Sequence, residues 1–180
     1  METSDEILVG QAQNGDAAAF AALITRHYDM LHRLSYRILG NRAEAEDLAQ
    51  DICAALPGKL ASFRGDAKFT TWLHRIVLNA ARDLMRRRAT RSRAADGWGD
   101  VELMRRAADA QTRADLNWLA EAMTSLNDDL RETVALVLGE EMTHATAALT
   151  LGVSEGTISW RMSEVKKALR NRAREEEMFG

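Results

Sequence analysis

The chain has 180 residues, 24 Lys+Arg against 27 Asp+Glu for a formal charge of −3, and 46% hydrophobic with 28% charged residues. That size holds one ordinary domain or two small ones, and that balance fits a soluble globular chain. With 11 Gly, 1 Pro and 1 Cys, collagen-like and low-complexity chains, a disulfide framework and a thiolate metal cage are excluded, and no apolar run approaches the length of a membrane-spanning helix.

The acidic opening, Met1 to Glu6, lacks the basic-then-apolar order of a signal peptide, so a cytoplasmic protein is expected. Ala, Leu, Arg and Glu dominate the rest of the chain, and these are strong helix formers. Phe20, Leu23, Ile24, His27, Leu31, Leu34 and Ile38 recur at helical spacing, and Leu39-Gly40-Asn41 stops that helix. A second helix runs from Ala43 to about Leu56 with Leu48, Ile52 and Leu56 on one stripe, and Pro57-Gly58 is expected to end or kink it. Ser62 to Asp66 reads as a loop. Phe69, Trp72, Leu73, Ile76, Ala80 and Leu84 form a third stripe, with Arg75, Asn79, Arg82 and Arg86 on an adjoining face.

The periodicity fades from about Arg88 to Asp115, and Ala94 to Asp100, with two glycines, reads as a linker, with room for a short helix from Val101 to Ala110. Helical signal resumes at about Leu116 with Leu119, Met123 and Leu126. Asn127-Asp128-Asp129 is a turn and N-cap, and Leu130, Val134, Val137 and Leu138 continue the period. The chain is therefore expected to be all-α, two small helical domains joined by a flexible linker: 1–90, a linker over 91–114, and 115–180.

The last stretch is the most specific. A short helix from Thr143 to Leu151 ends at Gly152, Val153 plugs the turn, and Ser154 caps a second helix whose core stripe is Ile158, Met162, Val165 and Leu169. This is a helix-turn-helix, and its second helix is expected to expose Ser159, Trp160, Arg161, Ser163, Lys166 and Lys167. Thr157, Ser159 and Arg161 are placed to reach base edges in a major groove, and Lys166, Lys167 and Arg170 to meet phosphates. Charge segregation agrees. Arg82 to Arg93 holds six arginines against Asp83, and Arg161 to Arg174 holds six basic residues against Glu164, in a chain that is acidic overall. Two concentrated basic faces suit a polyanion, although basic helix ends are also simply solvated in many proteins.

Two separated stretches resemble a known family. They are Asp47-Leu48-Ala49-Gln50-Asp51 with Phe63-Arg64-Gly65 and Phe69 to Arg88, and Leu126 to Glu132 with Leu151 to Arg161. In this order and with a linker between them, they are similar to the extracytoplasmic-function sigma factors, the smallest group of the sigma-70 family of RNA polymerase initiation subunits. The resemblance implies a region 2-like helical bundle that docks on the β′ clamp of core RNA polymerase and opens the −10 element, and a region 4-like helix-turn-helix that reads the −35 element near the β flap. It places Asp47, Gln50 and Asp51 on the polymerase-binding surface, and Phe63 to Phe69 in the loop that receives a flipped base. Lys68, Phe69, Thr71, Trp72, Arg75, Asn79, Arg82 and Arg86 are implied at the −10 strand. Ser154, Glu155, Thr157, Ser159, Arg161, Ser163, Lys166 and Lys167 are implied at the −35 duplex. An anti-sigma protein is a further implied partner, and membrane insertion is not expected.

The sequence departs from the family pattern at Pro57-Gly58, at Leu149-Thr150, which reverses the usual polar-then-apolar order, and at Glu164, where a basic residue is frequent. Trp72 shares the Phe69–Ile76 stripe and so also reads as core. His27, His32, His74 and His144 are too scattered for a metal site, Cys53 reads as a small buried hydrophobe, and no phosphate loop, nucleophile elbow or carboxylate pair appears. No cofactor and no catalytic activity are expected. The alternatives are a stand-alone helix-turn-helix regulator, with the first half as a sensor or dimer module, and an adaptor that binds protein alone.

Overall fold

The computed structural model describes residues 3–92, 118 and 121–179. All regular structure among them is helical, as the composition led one to expect. Of the sequence-predicted linker over 91–114, residues 91 and 92 belong to the last helix of the first unit; the rest of it, the short helix over 101–110, and Leu116 and Leu119 fall outside the described residues. The chain divides into two units, Met1–Ala94 and Ala95–Gly180.

The described residues of the first unit form four helices: α1 (Asp5–Gln13), α2 (Ala17–Leu39), α3 (Arg42–Leu60) and α4 (Phe69–Ser92). Local chemistry sets their ends. The Asp16 carboxylate accepts from the Ala18 and Ala19 amides and starts α2, meeting two of the donors that a helix N-terminus leaves orphaned. Gly40 ends α2 at φ 69°, a left-handed conformation that costs glycine little, and Asn41 then caps α3 by accepting from the Glu44 amide at 3.0 Å. The α2 helix packs against each of the other three. Its buried stripe of Leu23, Leu31, Leu34 and Ile38 meets Leu48, Ile52 and Leu56 of α3 and Phe69, Leu73 and Val77 of α4 in one core.

Two features differ from the sequence expectation. The acidic N-terminal stretch folds as α1, which buries Leu8 and Val9. Its Asp5 carboxylate pairs with Arg26 at 2.6 Å and His27 at 2.9 Å on α2. The α3 helix also runs through Pro57 for another turn, to Leu60. Proline lacks the N–H that would bond to Cys53, a cost of about 3 kcal/mol in a helix interior. The extra turn buries Leu60 while Pro57 and Gly58 stay in solvent, and that burial returns about 2 kcal/mol.

In the second unit residues 121–125 are helical. They are followed by α5 (Asp128–Val134), which widens into a π-type turn over Ala135–Gly139, then by α6 (His144–Leu151) and α7 (Glu155–Phe179). Asn127 caps α5 through the Leu130 amide at 2.9 Å, as the sequence suggested. The Arg131 guanidinium reaches back and donates to three carbonyls, of Met123 (3.0 Å), Thr124 (3.2 Å) and Leu126 (2.7 Å), closing the end of the preceding helix. Leu126, Ala135, Leu136, Ala147, Ile158, Met162 and Val165 make the core.

The reversed pair Leu149-Thr150 has a simple explanation. Thr150 points inward and its hydroxyl donates to the Thr146 carbonyl at 2.8 Å, so a buried polar group is satisfied within its own helix. Leu149 is left 66% exposed.

Candidate nucleic-acid and polymerase interface

Three helical faces hold the sequence-predicted residues. On α3, Asp47, Gln50 and Asp51 are all exposed, and Ala54 and Gly58 continue the same stripe. At about 100° per residue these five span roughly a 100° arc, opposite the buried Leu48, Ile52 and Leu56. The result is an acidic strip with small residues beyond it, open enough for another surface to approach closely.

The second face lies on α4. The buried residues Phe69, Leu73, His74, Val77, Leu78 and Ala81 occupy one side. Trp72, Arg75, Asn79, Arg82 and Arg86 recur at 3–4 spacing within roughly an 80° arc on the other, over about 21 Å of helix. Asn79 and Arg86 are exposed, while Trp72, Arg75 and Arg82 are half-buried. Asp83 lies beside this arc and pairs with Arg86. Arg88, beyond the arc, bridges to Glu44 of α3 at 2.7 Å. Lys68 is exposed and its carbonyl accepts from the Trp72 amide, so it sits at the helix start.

The loop over residues 61–68 folds against the start of this face. The Phe63 ring lies 5.2 Å from Trp72 and 5.7 Å from Phe69, and Phe69 in turn meets His27 edge-on at 5.5 Å. Gly65, at φ 79°, turns the loop. Phe63 and Trp72 are each half-exposed and so form an aromatic notch at the surface, floored by Phe69.

This packing buries two of the residues implied at the −10 strand. Phe69 is 2% exposed and belongs to the core beneath the notch. Thr71 is also buried, at the edge of the arc about 20° beyond Arg82.

The third face lies on α7. Ser154 caps it, accepting from the Thr157 amide at 3.1 Å, and Gly152 takes the left-handed conformation at φ 70° that closes α6. Ser159, Trp160, Ser163, Lys166, Lys167, Arg170 and Arg174 are all exposed and fall within roughly 120° of arc. Glu155 is exposed and Thr157 half-buried at the N-terminal turn. His144 Nδ1 and the Ser159 hydroxyl lie 3.0 Å apart and tie the two helices of the motif together.

Arg161 is the third implied residue that packing buries. It is 8% exposed, and its guanidinium donates to Asp129 of α5 at 2.7 Å. Spacing explains this: Arg161 stands three residues after Ile158 and four before Val165, at the margin of the core stripe. It braces the helix-turn-helix and does not stand on the exposed face.

Sequence reasoning missed the roles of Gln13 and of Asp129 as the partner of Arg161, which depend on residues distant in the chain, and the short-range closure made by Arg131. Among the described residues no cluster of three His, Cys, Asp or Glu side chains is placed to hold a metal ion. Among them, too, no helix is long and apolar enough to cross a membrane.

Comparison with known proteins matches both units. The Sigma-70 region 2 family model covers residues 23–91 and the Sigma-70 region 4 model residues 122–171. The chain belongs to the sigma-70 family, as an extracytoplasmic-function sigma factor. It is 32% identical over 169 residues to the ECF RNA polymerase sigma factor SigM of Mycobacterium tuberculosis, covering 93% of this chain and 84% of SigM. CnrH, a sigma factor of Cupriavidus metallidurans solved in complex with the cytosolic domain of CnrY, matches with a TM-score of 0.70 at 27% identity, over 93% of this chain and 95% of that one. The sigma factor RpoE of Bartonella quintana, solved with the anti-sigma factor NepR, matches with a TM-score of 0.70 at 25% identity, over 86% and 96% of the two chains. As a sigma factor the chain binds core RNA polymerase and directs promoter recognition and transcription initiation. A stand-alone regulator is not favoured, because the region 2 match accounts for the half that such a reading leaves unassigned.

Proposed function

We propose that the three faces divide the work of initiation. The exposed acidic strip of Asp47, Gln50 and Asp51 docks on the β′ clamp. The α4 face, with Trp72, Asn79 and the cationic side chains of Arg75, Arg82 and Arg86, follows the non-template strand of the −10 element. The notch of Phe63 and Trp72, with Lys68 beside it, receives one extruded base between aromatic surfaces. Stacking on aromatic rings is worth about 1–3 kcal/mol per base, enough to offset the cost of leaving the duplex. The α7 face enters the −35 major groove, where Ser159 and Ser163 meet base edges and Lys166 and Lys167 neutralise phosphates, with Ser154, Glu155 and Thr157 at the helix start.

The domains so used are 1–90 and 115–180, joined by a linker over 91–114. The protein works in the cytoplasm, where its polymerase is, and supplies no catalytic group of its own. An anti-sigma partner is part of the proposal, supported by the likeness to RpoE solved with the anti-sigma factor NepR.

The alignment of Trp72, Arg75, Asn79, Arg82 and Arg86 on one face beside Phe63 is the observation that carries this reading. The test is binding to a polymerase clamp fragment and promoter-dependent transcription with core polymerase, comparing the wild type with the double variant Gln50→Ala, Asp51→Arg. Tight binding and initiation, both lost in the variant, are expected. A folded wild-type chain that binds no clamp and starts no transcript overturns the proposal.

A further inference from the structure

Gln13, the last residue of α1, makes two hydrogen bonds from a single atom. Its Nε2 donates one hydrogen to the Leu60 carbonyl at 2.9 Å and the other to the Phe63 carbonyl at 3.0 Å. These acceptors lie at the end of α3 and in the loop over residues 61–68. Leu60 and Phe63 are already linked, since the Phe63 amide donates to the Leu60 carbonyl at 3.0 Å. The last carbonyls of a helix lack partners in their own helix, and here one side chain gathers two oxygens at the helix end and just beyond it. An amide oxygen in the same place would face two carbonyl oxygens, so the chemistry fixes which way the Gln13 amide points.

The helix that carries Gln13 is anchored at its other end. Asp5 binds Arg26 and His27, Arg26 donates to the Thr3 carbonyl at 2.9 Å, and Leu8 and Val9 are buried between. Thus α1 spans from the middle of α2 to the loop. The loop itself is held on one side by the Gln13 bonds to its backbone, and on the other by the Phe63 ring against Phe69 and Trp72. Gln13 lies outside residues 23–91, the span matched by the region 2 family model.

We propose that Gln13 is a positioning residue that fixes the loop over residues 61–68, and with it the notch of Phe63 and Trp72, for discrimination of the extruded −10 base. This rests on the reading of that loop given above. Gln13 touches no DNA in this proposal; it acts by holding two carbonyls.

Three full-length chains test it: wild type, Gln13→Leu, which keeps the volume and removes the donors, and Gln13→Lys, which restores a donor. Amide hydrogen exchange is read first, with no polymerase present. Gln13→Leu should speed exchange in residues 61–68 at least tenfold while α2 and α4 keep their protection, and Gln13→Lys should restore much of it. The chains are then assembled with core polymerase on a promoter library randomised over the −10 and −35 elements, and transcripts are sequenced. Gln13→Leu should reduce base preference about fivefold at a single −10 position, with the −35 preference and the other −10 positions unchanged.

Unchanged exchange in the loop overturns the brace. Faster exchange with an even loss of transcription at all four bases overturns its role in base choice. A wild type that initiates from no library member, with the exchange result intact, overturns the reading of the loop and leaves Gln13 a structural contact only.

Discussion

Replacing Arg161 separates a brace from a reader of DNA. The guanidinium is nearly enclosed, and its 2.7 Å bond to Asp129 joins α7 to α5. A charge-assisted bond of that kind contributes about 1.5–3 kcal/mol when both partners are buried. The Asp129 side chain is 65% exposed, however, so solvent screens the pair and about 1 kcal/mol is the appropriate figure. Arg161→Met keeps an apolar stem of similar reach and should cost about that 1 kcal/mol. Arg161→Ala also empties the space the stem fills and should cost about 3 kcal/mol.

The assay is urea unfolding of the full chain, followed by the amide NMR signals of α7 so that the second unit is read by itself. A double-mutant cycle with Asp129→Ala should return a coupling of about 1 kcal/mol. Affinity for a duplex selected by the wild-type chain should stay within about twofold for Arg161→Met. A variant as stable as the wild type that binds this duplex tenfold more weakly, about 1.4 kcal/mol, would refute the reasoning and return Arg161 to the DNA face.

The exposed lysines should behave in the opposite way. Lys166→Ala with Lys167→Ala should leave stability within about 0.5 kcal/mol and lower the slope of log affinity against log salt by about 2, as two lost phosphate contacts require. Thr150→Val keeps the shape of a buried side chain and removes a hydroxyl bonded chiefly within its own helix, so stability in thermal unfolding should shift by no more than about 1 kcal/mol, whereas Thr150→Asp should unfold the helix-turn-helix. Burial pushes the Cys53 thiol up from its ordinary value of 9.0. The folded state then favours the protonated thiol, so its contribution to stability is full below pH 9 and falls as pH rises through the higher folded value. At about pH 8 Cys53 should accordingly react with iodoacetamide more slowly than a free thiol, and unfolding in urea should bring the rate up to the free value.

Where the chain order of apolar residues decides the outcome, the sequence was sufficient. The α2 stripe from Leu23 to Ile38, the cap at Asn127, and the turn Gly152-Val153-Ser154 all follow from periodicity and short-range capping. The burial of two site candidates was legible after all. Phe69 lies on a core stripe and Arg161 beside one, so their angular positions already point inward. The α1 helix was not legible. Its apolar residues Ile7, Leu8 and Val9 are consecutive rather than periodic, and it is held in place by Asp5 and Gln13 through partners far along the chain. Pro57 misled for a related reason: a local rule favours stopping the helix, and the burial of Leu60, a tertiary effect that the rule does not see, offsets much of the cost of running through it.

The charge pattern bears on how such a chain finds its target. Its formal charge is −3, yet α7 exposes Lys166, Lys167, Arg170 and Arg174, and α4 carries Arg75, Arg82 and Arg86. Beyond a Debye length of about 10 Å the net charge is screened and the local face dominates, so each basic face still attracts DNA at contact range. Each face carries only three or four of these cations, so its affinity for DNA falls steeply with salt. In the division of work proposed above, the acidic strip on α3 supplies the remedy. Once it holds the chain on a polymerase that is itself on DNA, each weak face meets its element at high effective concentration. Selectivity then comes from requiring all three contacts together. An acidic chain with confined basic faces gains more from that arrangement than a uniformly basic one, which would bind DNA anywhere before it met the polymerase.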